Sequence, residues 1–336
     1  MPHSAFPRWG SLGPIKSALA GACATLLAAL PAQAGPTLLL DVGSGRVLYA
    51  QNADQPWYPA SLTKIMTAYL TFEALRDGRL TLEQQIPTSE RAALEQPSKI
   101  GLPVGATISV DLALKSVIIK SANDASVMIA EAVDGTVEAF VARMNQTARR
   151  LGMSSTNFVN PNGLPAAEQV TTARDLAKLA RAVLQDFPEH AHYWALPEMR
   201  LGKVRMRSHN SLLRTFSGAT GLKTGFICDS GFNVVASAER EGLHLAAIVL
   251  GEPNPQDRQE RAASLLEHGF NMNAWKTFLG APDVASLPAQ LFQASPPSVR
   301  REIKVWDCRR RPQRVSPSAT ARTKSGAQPP AEPDEG

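Results

Sequence analysis

The sequence predicts an α+β chain, in which one antiparallel sheet is built from both chain ends, helices pack on it, and a helical insert lies between. Three observations carry this. Short apolar runs separated by turn residues occur near residue 40 and again after residue 220, and the stretch between them repeats its apolar residues at helical spacing. Consecutive strands joined by tight turns also pair antiparallel.

Residues 1–34 read as a secretory signal: basic Arg8 and Lys16, an apolar stretch from Ser17 to Leu30, and Ala32-Gln33-Ala34 as an A-x-A cleavage site. The apolar run is short for a membrane span and ends at Pro31, so export is expected. Pro36 to Val42 and Arg46 to Gln51 then form a hairpin around Gly43, Ser44 and Gly45. Leu62, Ile65, Met66, Tyr69 and Leu70 recur at helical spacing, so a helix begins close to Ser61, and Gly78 ends it. Further helices are expected over Asp111 to Ile119, Asp124 to Val133, Thr136 to Leu151 and Thr172 to Leu184. Strands return at Gly221 to Ile227, Gly231 to Glu239 and His244 to Gly251, followed by a helix from about Asp257 to Trp275. A catalytic domain is thus expected over 35–277. From about Gly280 the composition turns to Pro, Ser, Ala, Arg and Gln, which marks 278–336 as a largely disordered tail.

The chain is 44% hydrophobic and 19% charged, with a net charge of +5. Nine Lys/Arg against two acids lie between Arg300 and Lys324, so the middle is close to neutral and no nucleic-acid footprint is indicated.

Ser61-Leu62-Thr63-Lys64 is a Ser-x-x-Lys at the start of an amphipathic helix, and residues three apart on a helix share a face. A serine nucleophile needs a base beside it. Lysine serves if its pKa falls from about 10.4 toward neutrality, roughly three units or about 4 kcal/mol, and burial with a second cation pushes that way. Taken singly, the pair is equally consistent with a capping serine and a surface lysine. Ser121-Ala122-Asn123 lies where one helical run ends and the next begins, so that a hydroxyl and an amide can project into a cleft or, equally, cap helices. Lys223-Thr224-Gly225 lies in a strand, where a cation and a hydroxyl suit a substrate carboxylate and glycine lets a ligand lie close; a charged strand edge that resists aggregation is the plain alternative. The three together, in this order, are the set used by β-lactamases and penicillin-binding proteins.

The sequence resembles the low-molecular-mass penicillin-binding proteins, serine-type D-Ala-D-Ala carboxypeptidases. The likeness runs from about Pro36 to Trp275 and rests on the strings 59–67, 120–125, 158–164 and 221–225 and on the strand Val234 to Ala238. It implies a β-lactamase/transpeptidase-like fold, an acyl-enzyme on Ser61, Lys64 as general base, and Ser121 and Asn123 assisting. It further implies that Lys223 with Thr224 holds the terminal carboxylate, beside Gly225 in the substrate-binding strand, and that the backbone N–H groups of Ser61 and Phe226 form the oxyanion hole. No cofactor or metal is implied. Peptidoglycan stem peptides are the expected substrates, β-lactam antibiotics the expected inhibitors, and the periplasm the expected place. Three departures stand out. Phe226 replaces the histidine usual after Lys-Thr-Gly; His209 stands where some relatives have a carboxylate-binding arginine; and the sixty or so residues after Trp275 are too few for the second all-β domain of many relatives.

A class A β-lactamase would carry a deacylating glutamate in Glu-x-x-Leu-Asn, and Glu168-Gln169-Val170-Thr171 does not match. A zinc peptidase would need a ligand set, and Glu189-His190-Ala191-His192 offers only a His pair. A D,D-endopeptidase acting on cross-links uses the same motifs and stays open. In the tail, Val299, Ile303 and Trp306 at helical spacing among Arg300, Arg301, Lys304 and Arg309 to Arg311 suggest peripheral membrane contact. Competing with it, Cys228 and Cys308 either form a disulfide after export, or stay apart as a small core residue and a loose thiol.

Overall fold

The computed structural model describes Met1, residues 35–278 and 280–303, and Cys308. The signal segment and residues 309–336 therefore lie outside the described residues, as do Lys304 to Asp307.

Nine strands occur among the described residues: β1 (Thr37–Asp41), β2 (Val47–Gln51), β3 (Gln85–Pro87), β4 (Thr107–Ser109), β5 (Glu198–Leu201), β6 (Val204–Arg207), β7 (Ala219–Ile227), β8 (Gly231–Arg240) and β9 (Leu243–Glu252). The helices are α1 (Lys64–Arg76), α2 (Glu90–Leu94), α3 (Val110–Lys115), α4 (Asn123–Asp134), α5 (Val137–Arg150), α6 (Ala173–Asp186), α7 (His192–Ala195), α8 (Leu212–Thr215) and α9 (Pro255–Phe278). The main sheet has the order β2-β1-β9-β8-β7 and every pairing is antiparallel. Both chain ends thus meet in one sheet, as the turn signals predict.

Alternation along the strands feeds two cores. Leu38, Leu40, Val235, Ala246 and Ile248 face the helical insert, while Leu39, Val234, Ala236, Leu245, Ala247 and Val249 face α9. A fully buried Leu, Ile or Val side chain contributes about 1.5–3 kcal/mol, so burial on both faces makes the sheet a rigid floor for the site. The strand β7 is the sheet's edge, and the turn that carries Ser61 packs against it.

Three features depart from the sequence reading. Ser61 sits on a 3-10 turn, Ala60–Thr63, and the α-helix begins only at Lys64. The helix read over Asp111 to Ile119 widens after Lys115 into a π-helical turn, Ser116–Lys120, and ends with Ser121 in the left-handed region at φ 62°. The two-stranded sheets β3–β4 and β5–β6 are not legible in the sequence because three- and four-residue strands leave too little alternation.

The tail differs as well. Composition marks 278–336 as a largely disordered tail, with disorder expected beyond Arg311, and residues 280–303 run along the domain as a strap. Val47 N–H donates to Pro282 O at 2.8 Å and Val284 N–H to Gly45 O at 2.9 Å. The buried Arg174 side chain, ion-paired to Asp54, donates to the carbonyls of Val284, Leu287 and Pro288 at 3.2, 2.6 and 2.9 Å. One buried cation meets three main-chain acceptors, an order that composition does not register. Farther on, Arg300 pairs with Asp229 at 2.7 Å, and Cys228 is disulfide-bonded to Cys308 with Cα atoms 5.5 Å apart. Val299 and Ile303 are 8% and 1% exposed, so two of the three apolar residues of the expected membrane face are turned into the domain. Those two residues are not available to a bilayer, whereas Trp306, Lys304 and Arg309 to Arg311 lie outside the described residues.

Candidate active site

Four segments converge where α1 begins: the Ser61 turn, the junction Ser121–Asn123, the loop 158–164 and the strand β7. Lys64 is fully buried, and its Nζ donates to Asn123 Oδ1 at 2.7 Å, to the Asn162 carbonyl, and to Ser61 Oγ at 3.2 Å. The Asn123 amide orientation is fixed by its Nδ2, which donates to Gln96 O at 2.8 Å. Two of the three Lys64 partners are therefore acceptors only. A neutral amine has two N–H groups, and spending both on Asn123 and Asn162 leaves its lone pair aimed at the Ser61 hydroxyl. Burial first, then the Lys223 cation, holds the Lys64 ammonium well below the ordinary lysine range, while Glu95 and Asp124 pull weakly the other way.

The left-handed Ser121 turns its Oγ into the cleft, where Lys223 Nζ donates to it at 3.1 Å. A non-glycine residue in that region costs about 1–2 kcal/mol, which surrounding structure must offset. Lys223 is 1% exposed and also donates to Thr224 O at 3.0 Å. Gly225 is needed for close approach: a methyl there would lie 3.1 Å from Ser61 N and 3.0 Å from Pro59 O. Gly163 serves likewise from below, since an added Cβ would collide with the Ala60 carbonyl, and its φ of +83° suits glycine. Thr67 Oγ1 donates to Pro161 O at 2.6 Å, fastening the same loop to α1. Phe226 stacks on Phe232, ring centroids 4.2 Å apart, so its aromatic face turns to its neighbour strand.

Every residue singled out from the sequence for the site thus lies at or beside this cleft, but the electrostatics at its far end come from elsewhere. His209 keeps an exposed edge. Partial burial and then the cations Lys223, Lys120 and Arg258 push its imidazole down to about 4, so it stays neutral and cannot supply a positive charge. Arg258, near the start of α9, supplies it. It is 7% exposed, donates to His209 O at 3.2 Å, and burial pushes its pKa down to about 10. Burial and Arg258 together push Lys223 down to about 7. Among the described residues neither cation is ion-paired to a carboxylate. Sequence reasoning missed Arg258 because nothing in its helix sets it apart from neighbouring charges. It also missed the role of Asn162, although that residue lies within a string on which the resemblance rests. Glu168, the weighed β-lactamase candidate, is exposed on the surface.

An antiparallel sheet with a helical insert, and a serine and a lysine meeting at their junction, give the molecule the fold and site arrangement that penicillin-binding proteins and serine β-lactamases share. Residues 24–254 match the family described as D-alanyl-D-alanine carboxypeptidase, and the chain belongs to that family. It is 34% identical to the D-alanyl-D-alanine carboxypeptidase DacA of Haemophilus influenzae over 255 residues, 74% of this chain and 65% of that protein. Among solved structures it is similar to penicillin binding protein 5 from Haemophilus influenzae, at TM-score 0.69 and 34% identity over 71% of each chain. It is also similar to cefotaxime-bound penicillin-binding protein D2 from Listeria monocytogenes, at TM-score 0.65 and 33% identity over 70% of this chain and 97% of that one. The chain spans less than two thirds of the length of the first relatives it matches.

Proposed function

We propose that this chain is a serine-type D-alanyl-D-alanine carboxypeptidase that removes the terminal D-Ala from peptidoglycan stem pentapeptides through an acyl-enzyme on Ser61, and that β-lactams acylate the same serine. The observation that carries this reading is the buried cation pair Lys223 and Arg258, which among the described residues lacks a protein carboxylate and adjoins the Ser61 cleft. Buried charge without a partner is unfavourable, and a free α-carboxylate on the substrate is the group that resolves it. A substrate ending in a free D-Ala supplies one at that distance from its scissile bond.

In this reading the substrate carboxylate docks on Lys223, Arg258 and Thr224, with Gly225 allowing the peptide to lie close and the exposed edge of His209 at its rim. The N–H groups of Ser61 and Phe226 are the assigned oxyanion donors, by likeness to the family. Ser61 Oγ attacks the carbonyl carbon of the penultimate D-Ala while its proton passes to Lys64 Nζ. The proton that Lys64 took from Ser61 is passed through the Ser121 hydroxyl to the leaving nitrogen, so that Lys64 is neutral again; Asn123 holds Lys64 in place, the C–N bond breaks and D-Ala departs. Water then attacks the ester, returns the proton to Ser61 Oγ and releases the shortened peptide. No cofactor enters these steps. The signal-like segment 1–34 and the Cys228–Cys308 disulfide support export to an oxidising compartment, proposed as the periplasm.

The test is product analysis on defined muropeptides. Release of D-Ala from a monomeric pentapeptide faster than cleavage of a cross-linked dimer supports the carboxypeptidase, whereas preferential opening of the dimer replaces it with the D,D-endopeptidase.

A further inference from the structure

On one face of β7, Lys223, Gly225 and Ile227 follow one another at every second residue, about 6.8 Å apart. Gly225 is the one that lies against Pro59 O and Ser61 N. Lys223 and Ile227 therefore flank the nucleophile from opposite sides. With the terminal carboxylate on the Lys223 side, the part of the stem peptide that precedes the scissile bond runs out over Ile227.

A cavity of about 190 Å³ opens there, lined by Tyr58, Pro165, Ala166, Ala167, Ile227 and Asp229. Each wall continues a segment of the active site: Tyr58 precedes the Ser61 turn, 165–167 follow the loop that cradles Lys64, and Ile227 follows Phe226. Two bonds fasten the walls to one another, from Asn233 Nδ2 to Tyr58 O at 3.2 Å and from Trp57 Nε1 to Ser230 O at 3.0 Å. The lining is aliphatic and aromatic except for Asp229, which supplies a carboxylate. The strap sets that carboxylate in place. Ser298 Oγ donates to Oδ1 at 2.7 Å, Arg300 Nε to Oδ1 at 3.1 Å and Arg300 Nη2 to Oδ2 at 2.7 Å, while Val299 N–H donates to Asp229 O at 3.1 Å. A carboxylate has about four acceptor sites, and with three taken Oδ2 keeps one. None of the steps above uses the cavity or the Asp229–Arg300 pair.

We propose that this cavity receives the side chain of the stem-peptide residue before the two D-Ala, and that Asp229 makes it selective for an aliphatic stem ending in an amine. The inference rests on the carboxypeptidase reading and adds to it the chemical class of that residue, a diamino acid. An extended peptide advances about 3.3 Å per residue, so the residue before the penultimate D-Ala is the first whose side chain reaches past Gly225 to Ile227. Its methylenes lose water against Ile227, Ala166 and Ala167, and its ammonium meets the open site on Oδ2. Where the amine carbon also bears a carboxylate, as in diaminopimelate, that anion faces Arg300.

The experiment measures kcat/KM for D-Ala release from pentapeptides that differ only in the third residue: meso-diaminopimelate, L-lysine or L-norleucine. The whole chain is compared with Asp229→Asn, which keeps an acceptor for Ser298, and with Arg300→Gln. The wild type is expected to favour lysine over norleucine about threefold or more, and Asp229→Asn to bring that ratio close to one. Arg300→Gln should hold or raise the ratio, because a competing cation has left Asp229. Diaminopimelate above lysine in the wild type but not in Arg300→Gln identifies the whole amino-acid terminus as the ligand, and diaminopimelate at or below lysine identifies the ammonium alone; both support the site. A wild-type ratio near one, a ratio unmoved in Asp229→Asn, or equal falls in both variants overturns the proposal and leaves the pair a clasp for the strap. Failure of the wild type to release D-Ala from any of the peptides defeats the carboxypeptidase reading instead, and so is distinct from equal cleavage of all three.

Discussion

Arg258→Met separates what the buried cation does for the fold from what it does for the substrate. The side chain is 7% exposed and, among the described residues, has no carboxylate partner. Replacing such a charge by an apolar side chain of similar volume is commonly neutral or stabilising, so the melting temperature is expected to hold or rise. Function should move the other way. A hydrogen bond to a charged group contributes about 1.5–3 kcal/mol, which converts to roughly ten- to hundredfold in kcat/KM, mostly through KM. The lower end is expected, because Lys223 is freed from repulsion by Arg258 and keeps its own charge to higher pH. The assay compares cleavage of two pentapeptides by liquid chromatography, one ending in D-Ala and the other in its C-terminal amide. The wild type favours the acid, and the variant loses rate on the acid while changing little on the amide. A folded variant with the acid-to-amide ratio of the wild type, or with equal losses on both, refutes the assignment of Arg258 to the carboxylate.

Two further outcomes follow from the same geometry. Lys223 is cationic below its value of about 7 in the empty site and neutral above it, so kcat/KM for the acid peptide should fall as pH rises through about 7. That limb should move upward in Arg258→Met; a profile flat from pH 6 to 9 contradicts it. The Cys228–Cys308 bridge closes a sequence separation of 80, for which chain entropy gives about 4.5 kcal/mol at most, so Cys308→Ser should lower the urea midpoint and expose the strap 280–303 to trypsin. Non-reducing peptide mapping checks the bond directly, and two alkylatable thiols in the denatured chain contradict it.

Much of this architecture is legible in the sequence because it depends on local signals. Strands β7, β8 and β9 are apolar runs cut by polar turns, and α9 begins at a proline followed by polar residues, so pattern alone finds them within a few residues. Ser61, Lys64, Ser121, Asn123 and Lys223 are legible because each belongs to a short motif whose order matters. What escapes is set by distance along the chain. Arg258 meets Lys223 only after β8 and β9 have folded back, and no spacing rule links them. The strap was misread for a related reason: its order comes from Arg174 and a disulfide, which hold a segment whose own residues lack periodicity. The π-helical turn before Ser121 is invisible because its residues, Ser116–Lys120, continue the apolar pattern of an ordinary helix, and only the left-handed residue that follows shows the break.

The most direct test of the central claim is to map the acylated residue. The whole chain is treated with labelled penicillin, digested and analysed by mass spectrometry, alongside Ser61→Ala and Lys64→Arg. The account predicts one modified peptide carrying the label on Ser61, no label in Ser61→Ala, and acylation slowed more than tenfold in Lys64→Arg, since guanidinium does not give up its proton at these pH values. Label on Ser121 or Ser208, or a Lys64→Arg rate within tenfold of the wild type, would contradict it.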